Sequence, residues 1–185
     1  LLLLDGGDDP AERRRSLLAR LPEAEGLVRI DLLRRLLLLA LETGDQEAAG
    51  PAAAELFLLN PADDLAFREQ HRLLSERADA AALGDLWLRR AEALADPLGR
   101  ADALCTAAVL ADEGLGDVAA AEQRYMAALG AVPDHLSALL GLADLTYRRG
   151  DYARALELYN SAAEVPPGRP DAAEILRRRA ELAEA

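Results

Sequence analysis

The residue types that most often carry out chemistry are scarce in this chain, which has two histidines and one cysteine. His71 and His135 are far apart in sequence, and neither has the cysteine or carboxylate spacing that is typical of a metal site. Cys105 lies on the apolar stripe of a predicted helix, where a small core residue is the default interpretation. The paired acids Asp63 and Asp64 stand at a predicted helix start, where capping explains them. The sequence therefore predicts no catalytic residue, no metal site and no cofactor.

His135 follows Pro133 and Asp134, which predicts an exposed or half-buried histidine in the first turn of a helix. The chain contains no phosphate-binding glycine loop, no strand-to-helix nucleophile elbow and no HExxH motif. We therefore expect a protein that is not an enzyme and that works by presenting a surface.

The composition indicates a helical, acidic protein. Only 4% of the residues are aromatic, alanine and leucine dominate, and the β-branched residues that strands prefer are scarce. The formal net charge is −12, which repels phosphate backbones and makes nucleic acid an unfavourable partner. Either solubility or attraction to a basic partner explains this acidity, and the sequence leaves both explanations open.

The chain offers a few indications of its origin and compartment. All 21 basic residues are arginine, which is typical of GC-rich coding sequence and favours a high-GC bacterial source; avoidance of lysine modification is the weaker alternative. A single cysteine permits no internal disulfide, which fits a reducing, cytoplasmic compartment. No stretch approaches the ~20 apolar residues that span a bilayer. The Leu1–Leu4 opening without methionine favours a fragment of a longer protein over the end of a cleaved signal.

Four Gly-Asp pairs divide the chain, at residues 44–45, 84–85, 116–117 and 150–151. The last two pairs are 34 residues apart, and alanine, tyrosine, alanine and proline recur after them at identical offsets. The recurring residues are Ala121, Tyr125, Ala128 and Pro133, then Ala155, Tyr159, Ala162 and Pro167. A fixed period of this length is the signature of stacked helical hairpins. The glycine suits the left-handed residue that closes one helix, and the aspartate suits the cap of the next.

This pattern resembles the tetratricopeptide repeat family. The resemblance is strong over residues 102–133 and 136–167 and partial over 30–61, where Gly44, Ala49 and Pro61 are in place. It is weak over 62–97, where Arg89 stands at an alanine position and only 13 residues, instead of 17, separate Gly84 from Pro97. The resemblance implies an all-α fold, a right-handed α-solenoid of about four antiparallel helix hairpins with terminal capping helices.

We expect an N-terminal segment and helix over residues 1–23, a repeat array over 24–167, and a C-terminal capping helix over 168–185. The four hairpins are expected at about 24–61, 62–97, 98–133 and 134–167, each with its turn at a Gly-Asp pair. In the second hairpin this places a long helix near 63–82 and a short one near 85–95.

Members of this family line a concave groove with fixed positions on the first helix of each repeat. Counting these positions back from each turn glycine implies a groove on all four first helices. The groove residues implied in this way are Arg34, Leu38, Leu41, Leu74, Leu110, Leu140, Asp144, Tyr147 and Arg148. The leucines and Tyr147 are expected to align as one apolar strip, because equivalent positions of a repeat stack along an array. Tyr147 is the predicted anchor, and Arg148 beside it is expected to hold a carboxylate or a carbonyl.

The resemblance implies a protein or peptide segment as the partner. Family members that clamp a terminal carboxylate use lysines and asparagines, but this chain has no lysine and its two asparagines lie near helix ends. An apolar groove suits an amphipathic or basic segment better, or the protein's own terminal segment. We predict a non-enzymatic scaffold or adaptor. The alternatives are a repeat domain of a larger enzyme or regulator whose active part lies outside this chain, or a structural subunit that packs through convex residues.

Overall fold

The structure, a computed structural model, describes residues 9–164, and every regular element in that range is helical. The predicted all-α fold of helical hairpins is confirmed. The capping helix expected over 168–185, the Leu1–Leu4 run and Pro167 lie outside the described residues. The helices are α1 (Pro10–Arg20), α2 (Gly26–Thr43), α3 (Gln46–Leu59), α4 (Asp64–Glu76), α5 (Ala80–Ala93), α6 (Pro97–Val109), α7 (Val118–Ala131), α8 (Leu136–Arg148) and α9 (Tyr152–Glu164). A 3₁₀ turn (Leu21–Glu23) follows α1, and a π-helical turn (Leu110–Gly114) follows α6.

Aspartate side chains begin many of these helices. Each accepts a hydrogen bond from a backbone amide in the first turn, where helical amides have no partner inside the helix. The negative charge also suits the positive end of the helix dipole. The capping residues are Asp9, Asp45, Asp63, Asp96, Asp117 and Asp151.

Three of the four turns predicted at Gly-Asp pairs are confirmed. Gly44, Gly116 and Gly150 take the left-handed conformation, with φ of 70°, 67° and 82°. Glycine adopts this conformation without the steric cost that a Cβ atom imposes. The chain therefore reverses at these glycines, and α2 packs on α3, α6 on α7 and α8 on α9.

The turn predicted at Gly84 and Asp85 is wrong, because both residues lie inside α5. The chain turns instead at Ala78, which has a left-handed φ of 52°. Ala78 stands 34 residues after Gly44, the same spacing as from Gly116 to Gly150, and is followed by an aspartate, so only the glycine is missing. The next turn, at Gly116, is 38 residues further on. The helices predicted at 63–82 and 85–95 are corrected accordingly to α4 and α5.

Hydrogen bonds identify Ala78 as a true equivalent of the turn glycines. The amide of Asp79 donates to the carbonyl of Leu74 at 3.2 Å, five residues earlier. The amide of Asp45 donates to the carbonyl of Ala40 in the same way at 2.8 Å. Both are the closing bond of a helix that ends in a left-handed residue.

The helix before Gly116 contains one additional residue, which the π-helical turn accommodates. The amide of Gly116 donates to the carbonyl of Asp112, four residues earlier, whereas that of Gly150 donates to Tyr147, three residues earlier. Each residue from the start of α6 to Asp112 therefore corresponds to the residue 35 positions later in the chain, and not 34, in α8. Single π turns inside helices are frequent at functional sites.

The described residues form two compact units, unit 1 up to Asp79 and unit 2 from Ala80. In unit 1, α1 packs on α2, α2 on α3, and α3 on α4. Leucines supply much of its core, with Leu32, Leu33 and Leu37 almost completely buried.

In unit 2 the helices pack successively, from α5 on α6 to α8 on α9. Ala121 and Ala155 are fully buried in its core, as predicted, and let neighbouring helices approach closely. Tyr125 and Tyr159 are buried beside them, so the prediction that the repeated tyrosines belong to the core is confirmed.

Candidate functional site

The first helices of the two hairpins in unit 2 present one set of polar and apolar side chains, which we call the α6–α8 face. Residues three or four apart lie on one side of a helix, so these side chains follow one stripe on each helix. Because the π-helical turn contains one additional residue, positions in α6 correspond to positions 35 residues later in α8. Asp102 corresponds to Ser137, Val109 to Asp144, and Asp112 to Tyr147. The face consists of Asp102, Val109, Asp112 and Glu113 from α6 and its π-helical turn, and Leu140, Asp144, Tyr147 and Arg148 from α8.

Tyr147 is the aromatic side chain that was predicted for the groove, and 37% of its surface is accessible. Its ring lies 5.4 Å from that of Tyr152 on α9, measured between centroids, in a tilted arrangement. Leu140, on the same side of α8, is half-buried and packs against the core of α8 and α9. Of these two, Tyr147 therefore offers the larger apolar surface to a partner.

Arg148 already has an acidic neighbour on this face. Its guanidinium forms an ion pair with the carboxylate of Asp112, which joins α8 to the π-helical turn. Arg148 was predicted to hold a carboxylate, and the carboxylate that it contacts in the structure is that of Asp112 in the same chain. Asp112 was not predicted as a groove residue, because counting from Gly116 does not reveal the extra residue.

The two repeated tyrosines differ in what their hydroxyl groups contact. The hydroxyl of Tyr159 donates to Asp144, at the groove position of its own repeat. Val109 stands at the equivalent position for Tyr125 and offers no acceptor. The hydroxyl of Tyr125 has no hydrogen-bond partner among residues 9–164.

The surroundings of Tyr125 are nevertheless acidic. Burial raises the pKa of Tyr125 to about 12, with further contributions from Cys105, Asp112, Glu113 and Asp144. The three carboxylates among these groups belong to the α6–α8 face, and Tyr125 itself is only 6% exposed.

In unit 1 the predicted groove residues of α2 lie on its exposed side. Leu38 and Leu41 are 43% and 41% exposed. Arg34 is also exposed, and its guanidinium lies 3.5 Å from the carboxylate of Asp63, the cap of α4. Arg34 therefore makes a contact between first helices of unit 1 and is engaged within the chain.

The register that led to Leu74 is wrong, because it was counted from Gly84 and the turn is at Ala78. Leu74 is half-buried, and its carbonyl closes α4. Counting from Ala78 places the groove positions of α4 at Leu65, Arg68, Arg72 and Ser75. Arg72 is held by Glu69 and Glu76 on the same helix.

The register that led to Leu110 is also displaced, by one residue. The π-helical turn makes Val109 the equivalent of Asp144, and Val109 is 41% exposed whereas Leu110 is half-buried. A π-helical turn has no distinctive sequence signal here, so the count from Gly116 could not detect it.

A cysteine, a histidine and an aspartate meet where α6 contacts the start of α8. The sulfur of Cys105 lies 3.6 Å from Nδ1 of His135, and Nε2 of His135 lies 3.0 Å from the carboxylate of Asp102. His135 is 4% exposed, so the predicted exposed or half-buried histidine is wrong. A thiol, an imidazole and a carboxylate in this order form the arrangement that activates nucleophilic cysteines in some enzymes.

The surroundings of Cys105 oppose that chemistry. Burial raises the pKa of its thiol to about 12, and the charge of Asp102 adds to the effect. Nδ1 of His135 also accepts from the backbone amide of Ala138 at 3.3 Å, so it caps α8. A buried thiol with a raised pKa is not a nucleophile near neutral pH. The three residues instead connect α6 to the first turn of α8.

One sequence signal could have located His135. It stands 19 residues after Gly116, and Asp63 stands 19 residues after Gly44. Asp63 caps α4 from the equivalent position. The repeat period therefore predicts a capping role for position 135, although it does not predict the contact with Cys105.

Among residues 9–164, no cluster of three or more histidine, cysteine and acidic side chains could hold a metal ion. Cys105 and Asp102 contact opposite ring nitrogens of His135, so these three cannot converge on one ion. No helix of this range has both the length and the apolar character needed to cross a membrane.

The helical hairpins define an α-helical repeat protein, and part of the chain matches a known type of repeat. The tetratricopeptide repeat family model matches residues 114–179. This part of the chain is therefore similar to tetratricopeptide repeats, in agreement with the resemblance seen in the sequence.

Two individual proteins are similar to parts of the chain. The Protein CTR9 homolog of Arabidopsis thaliana is 37% identical over 60 residues, which are 32% of this chain and 6% of that protein. A crystal structure of the tetratricopeptide repeat domain of P58(IPK) aligns with 96% of this chain at 16% identity and a TM-score of 0.44. The alignment covers 52% of that chain. The chain thus spans a small part of the first protein and about half of the second.

Proposed function

We propose that this protein is a non-enzymatic interaction scaffold or adaptor that binds a protein segment on the α6–α8 face. Tetratricopeptide repeats generally mediate protein–protein interaction. The observation that carries the proposal is the exposure of Tyr147 on the same face as Leu140 and Val109. Tyrosine is enriched among the few interface residues that carry most of the binding energy.

The rest of the proposal follows from charge and burial. The buried thiol of Cys105 supports a structural role for the one cysteine–histidine contact, so we propose no catalysis by this chain. The net charge of −12 supports a protein partner and not a nucleic acid. The single cysteine supports a reducing, cytoplasmic compartment.

A second proposal is that these repeats belong to a larger enzyme or regulator. The alignment with 6% of the length of the Protein CTR9 homolog supports this alternative. In this alternative the partner binds the same α6–α8 face, and the active part of the enzyme or regulator lies outside this chain.

The experiment places a photoreactive benzoylphenylalanine at position 147 or at position 126. Met126 is an exposed apolar residue of α7 and serves as the matched control on another helix. The protein that cross-links from position 147 is identified, purified and titrated calorimetrically against the unmodified chain. We expect Tyr147→Ala to weaken binding by about 2 kcal/mol, about thirtyfold, and Met126→Ala to change it by less than about 0.5 kcal/mol. Equal effects of the two substitutions would contradict the proposal.

A further inference from the structure

In unit 1, α1 and α3 both pack on α2, and a cavity lies between the three helices. Its volume is about 870 Å³, within the ~300–1,000 Å³ that ligand pockets occupy. Leu18 is 47% exposed in the wall that α1 forms, so the cavity opens to the surface. The lining is mainly apolar and includes Leu18, Leu21, Leu33, Leu36, Ala48 and Ala52.

The charged residues that line this cavity include one available cation. Arg14 of α1 forms an ion pair with Asp45, the cap of α3, at 2.6 Å. This pair places the start of α1 beside the end of α2. Two other charged lining residues, Arg15 on α1 and Glu47 on α3, form no ion pair among the described residues. An acidic group that lies on the side of α1 can therefore pair with Arg15.

The residues that precede α1 match this lining in kind. Residues 1–4 are four consecutive leucines, and Asp5, Gly6, Gly7 and Asp8 separate them from Asp9. Residues 1–8 lie outside the described part of the chain, but Asp9, the first described residue, lines the cavity. An apolar run and two acids are therefore joined directly to the edge of an apolar cavity that carries an available arginine.

The length of the connection allows the leucines to reach the floor of the cavity. A chain spans at most ~3.3–3.6 Å per residue, so Leu4 can lie up to about 16–18 Å from Asp9. The lining residues Leu33 and Thr43 mark the length of the floor along α2. They are ten residues apart on one helix, which corresponds to about 15 Å. The segment can therefore extend over the whole floor.

We propose that the leucines of residues 1–4 pack into this cavity of unit 1 and that Asp5 and Asp8 lie beside Arg15. Removal of apolar side chains from water stabilises such a contact in proportion to the area that is buried. The opposite charges add an attraction that salt screens, because Arg15 is at the surface. The occupant of the cavity is thus a segment of the same chain.

A nitroxide spin label attached to a Leu2→Cys variant tests this contact. Cys105 is buried, so the label reacts at residue 2, and wild-type protein treated with the same label serves as the control. In ¹⁵N-labelled protein we expect the amide signals of Leu36 and Ala52 to lose about half of their intensity or more, relative to the same sample after reduction with ascorbate. Unchanged intensities at these two amides overturn the proposal.

A mixed sample distinguishes the same chain from a second copy. It contains spin-labelled protein without ¹⁵N and ¹⁵N-labelled protein without the spin label, so only contacts between molecules reduce the amide signals. We expect the signals of Leu36 and Ala52 to keep their intensity in this sample. A loss as large as that in the first experiment would place the leucines of a second copy in the cavity and would overturn the proposal.

Two substitutions locate the contact within unit 1. Leu18→Glu introduces a charge into the wall of the cavity and should restore the signals of Leu36 and Ala52. Leu58→Glu makes the same change at a residue of α3 that is 63% exposed and does not line the cavity, so it should leave the loss unchanged. Both residues are exposed, and both variants are therefore expected to fold. Equal effects of the two substitutions contradict the proposed position of the leucines.

Discussion

The ring of Tyr125 lies against the backbone of Gly141, with no space for a side chain between them. A Cβ atom at position 141 would lie 2.5 Å from Cε1 and 2.6 Å from the hydroxyl oxygen of the tyrosine. Tyr125 belongs to α7 and Gly141 to α8, so this contact sets how closely the third and fourth hairpins approach. The backbone conformation of Gly141 is one that any residue can adopt. Glycine is therefore required here because the tyrosine ring leaves no room for a Cβ atom.

Gly141→Ala is expected to destabilise the fold. Overpacking of a filled core costs about 1–3 kcal/mol, which exceeds the gain of up to about 1 kcal/mol from replacing glycine within a helix. The free energy of unfolding, from urea titration followed by circular dichroism, measures the net effect.

Gly130→Ala is the matched control for this substitution. Gly130 lies in α7, and nothing lies within 4 Å of the position where its Cβ would be. The control should gain a few tenths to about 1 kcal/mol, since only helix propensity changes. If both substitutions stabilise the protein, the close contact of Tyr125 with Gly141 is wrong.

Ala78→Gly is expected to stabilise unit 1. Left-handed φ costs an alanine about 1–2 kcal/mol, and the greater freedom of glycine in the unfolded chain offsets about 0.4–1 kcal/mol of the relief. We expect a net gain of about 0.5–1 kcal/mol in urea titration. The reciprocal change Gly150→Ala, at a φ of 82°, should destabilise the fold. A loss of stability in Ala78→Gly would place the turn elsewhere.

Ala155→Leu is expected to lower the free energy of unfolding by about 1–3 kcal/mol, because Ala155 is completely buried against Ala143 and Tyr159. Ala163→Leu, at an exposed position of the same helix, is the control and should change stability by less than about 0.5 kcal/mol. Thermal melting of both variants gives the comparison. Coincident melting of Ala155→Leu and the wild type would show that α9 does not pack through residue 155.

Alkaline pH should destabilise the protein through Cys105. Its pKa rises from 9.0 to about 12 on folding, so the native state binds its proton more tightly than the unfolded state. This contribution is complete below pH 9 and is lost as the pH rises from about 9 to about 12. We therefore expect the unfolding free energy to fall between pH 8.5 and 10.5.

The raised pKa of Tyr125 also lowers stability at alkaline pH, and Cys105→Ala separates the contribution of the thiol from it. The variant should be less stable than the wild type at pH 7.5, because it loses buried sulfur, but its stability should fall less steeply with pH. Urea titrations at several pH values measure both quantities. Parallel pH profiles for the two proteins would show that the thiol is not protected in the folded state.

Much of the fold was predictable because it depends on short-range features. The glycine–aspartate turns, the alanine spacers and the tyrosines each act within one hairpin, so a period of 34 locates them. Gly84 was misassigned because a glycine within a helix looks, in sequence, like a glycine that ends one. The period itself, which places Ala78 after Gly44, was the better guide.

The candidate site was less predictable because it depends on contacts between repeats. The contact of His135 with Cys105, the pairing of Arg148 with Asp112 and the position of Tyr125 over Gly141 join residues of different helices. No local sequence pattern predicts these contacts. Tyr147 was correctly expected on α8, and its role as a partner anchor stays a prediction.

The π-helical turn before Gly116 determines which side chains of α6 occupy the positions that face the fourth repeat. With a regular turn, Ala103, Leu110 and Glu113 would take the places that correspond to Ser137, Asp144 and Tyr147 in the fourth repeat. One inserted residue selects Asp102, Val109 and Asp112 instead, and two of these now make polar contacts to the neighbouring hairpin. Shortening this turn by a single codon would thus exchange the whole set at once, without substituting any amino acid.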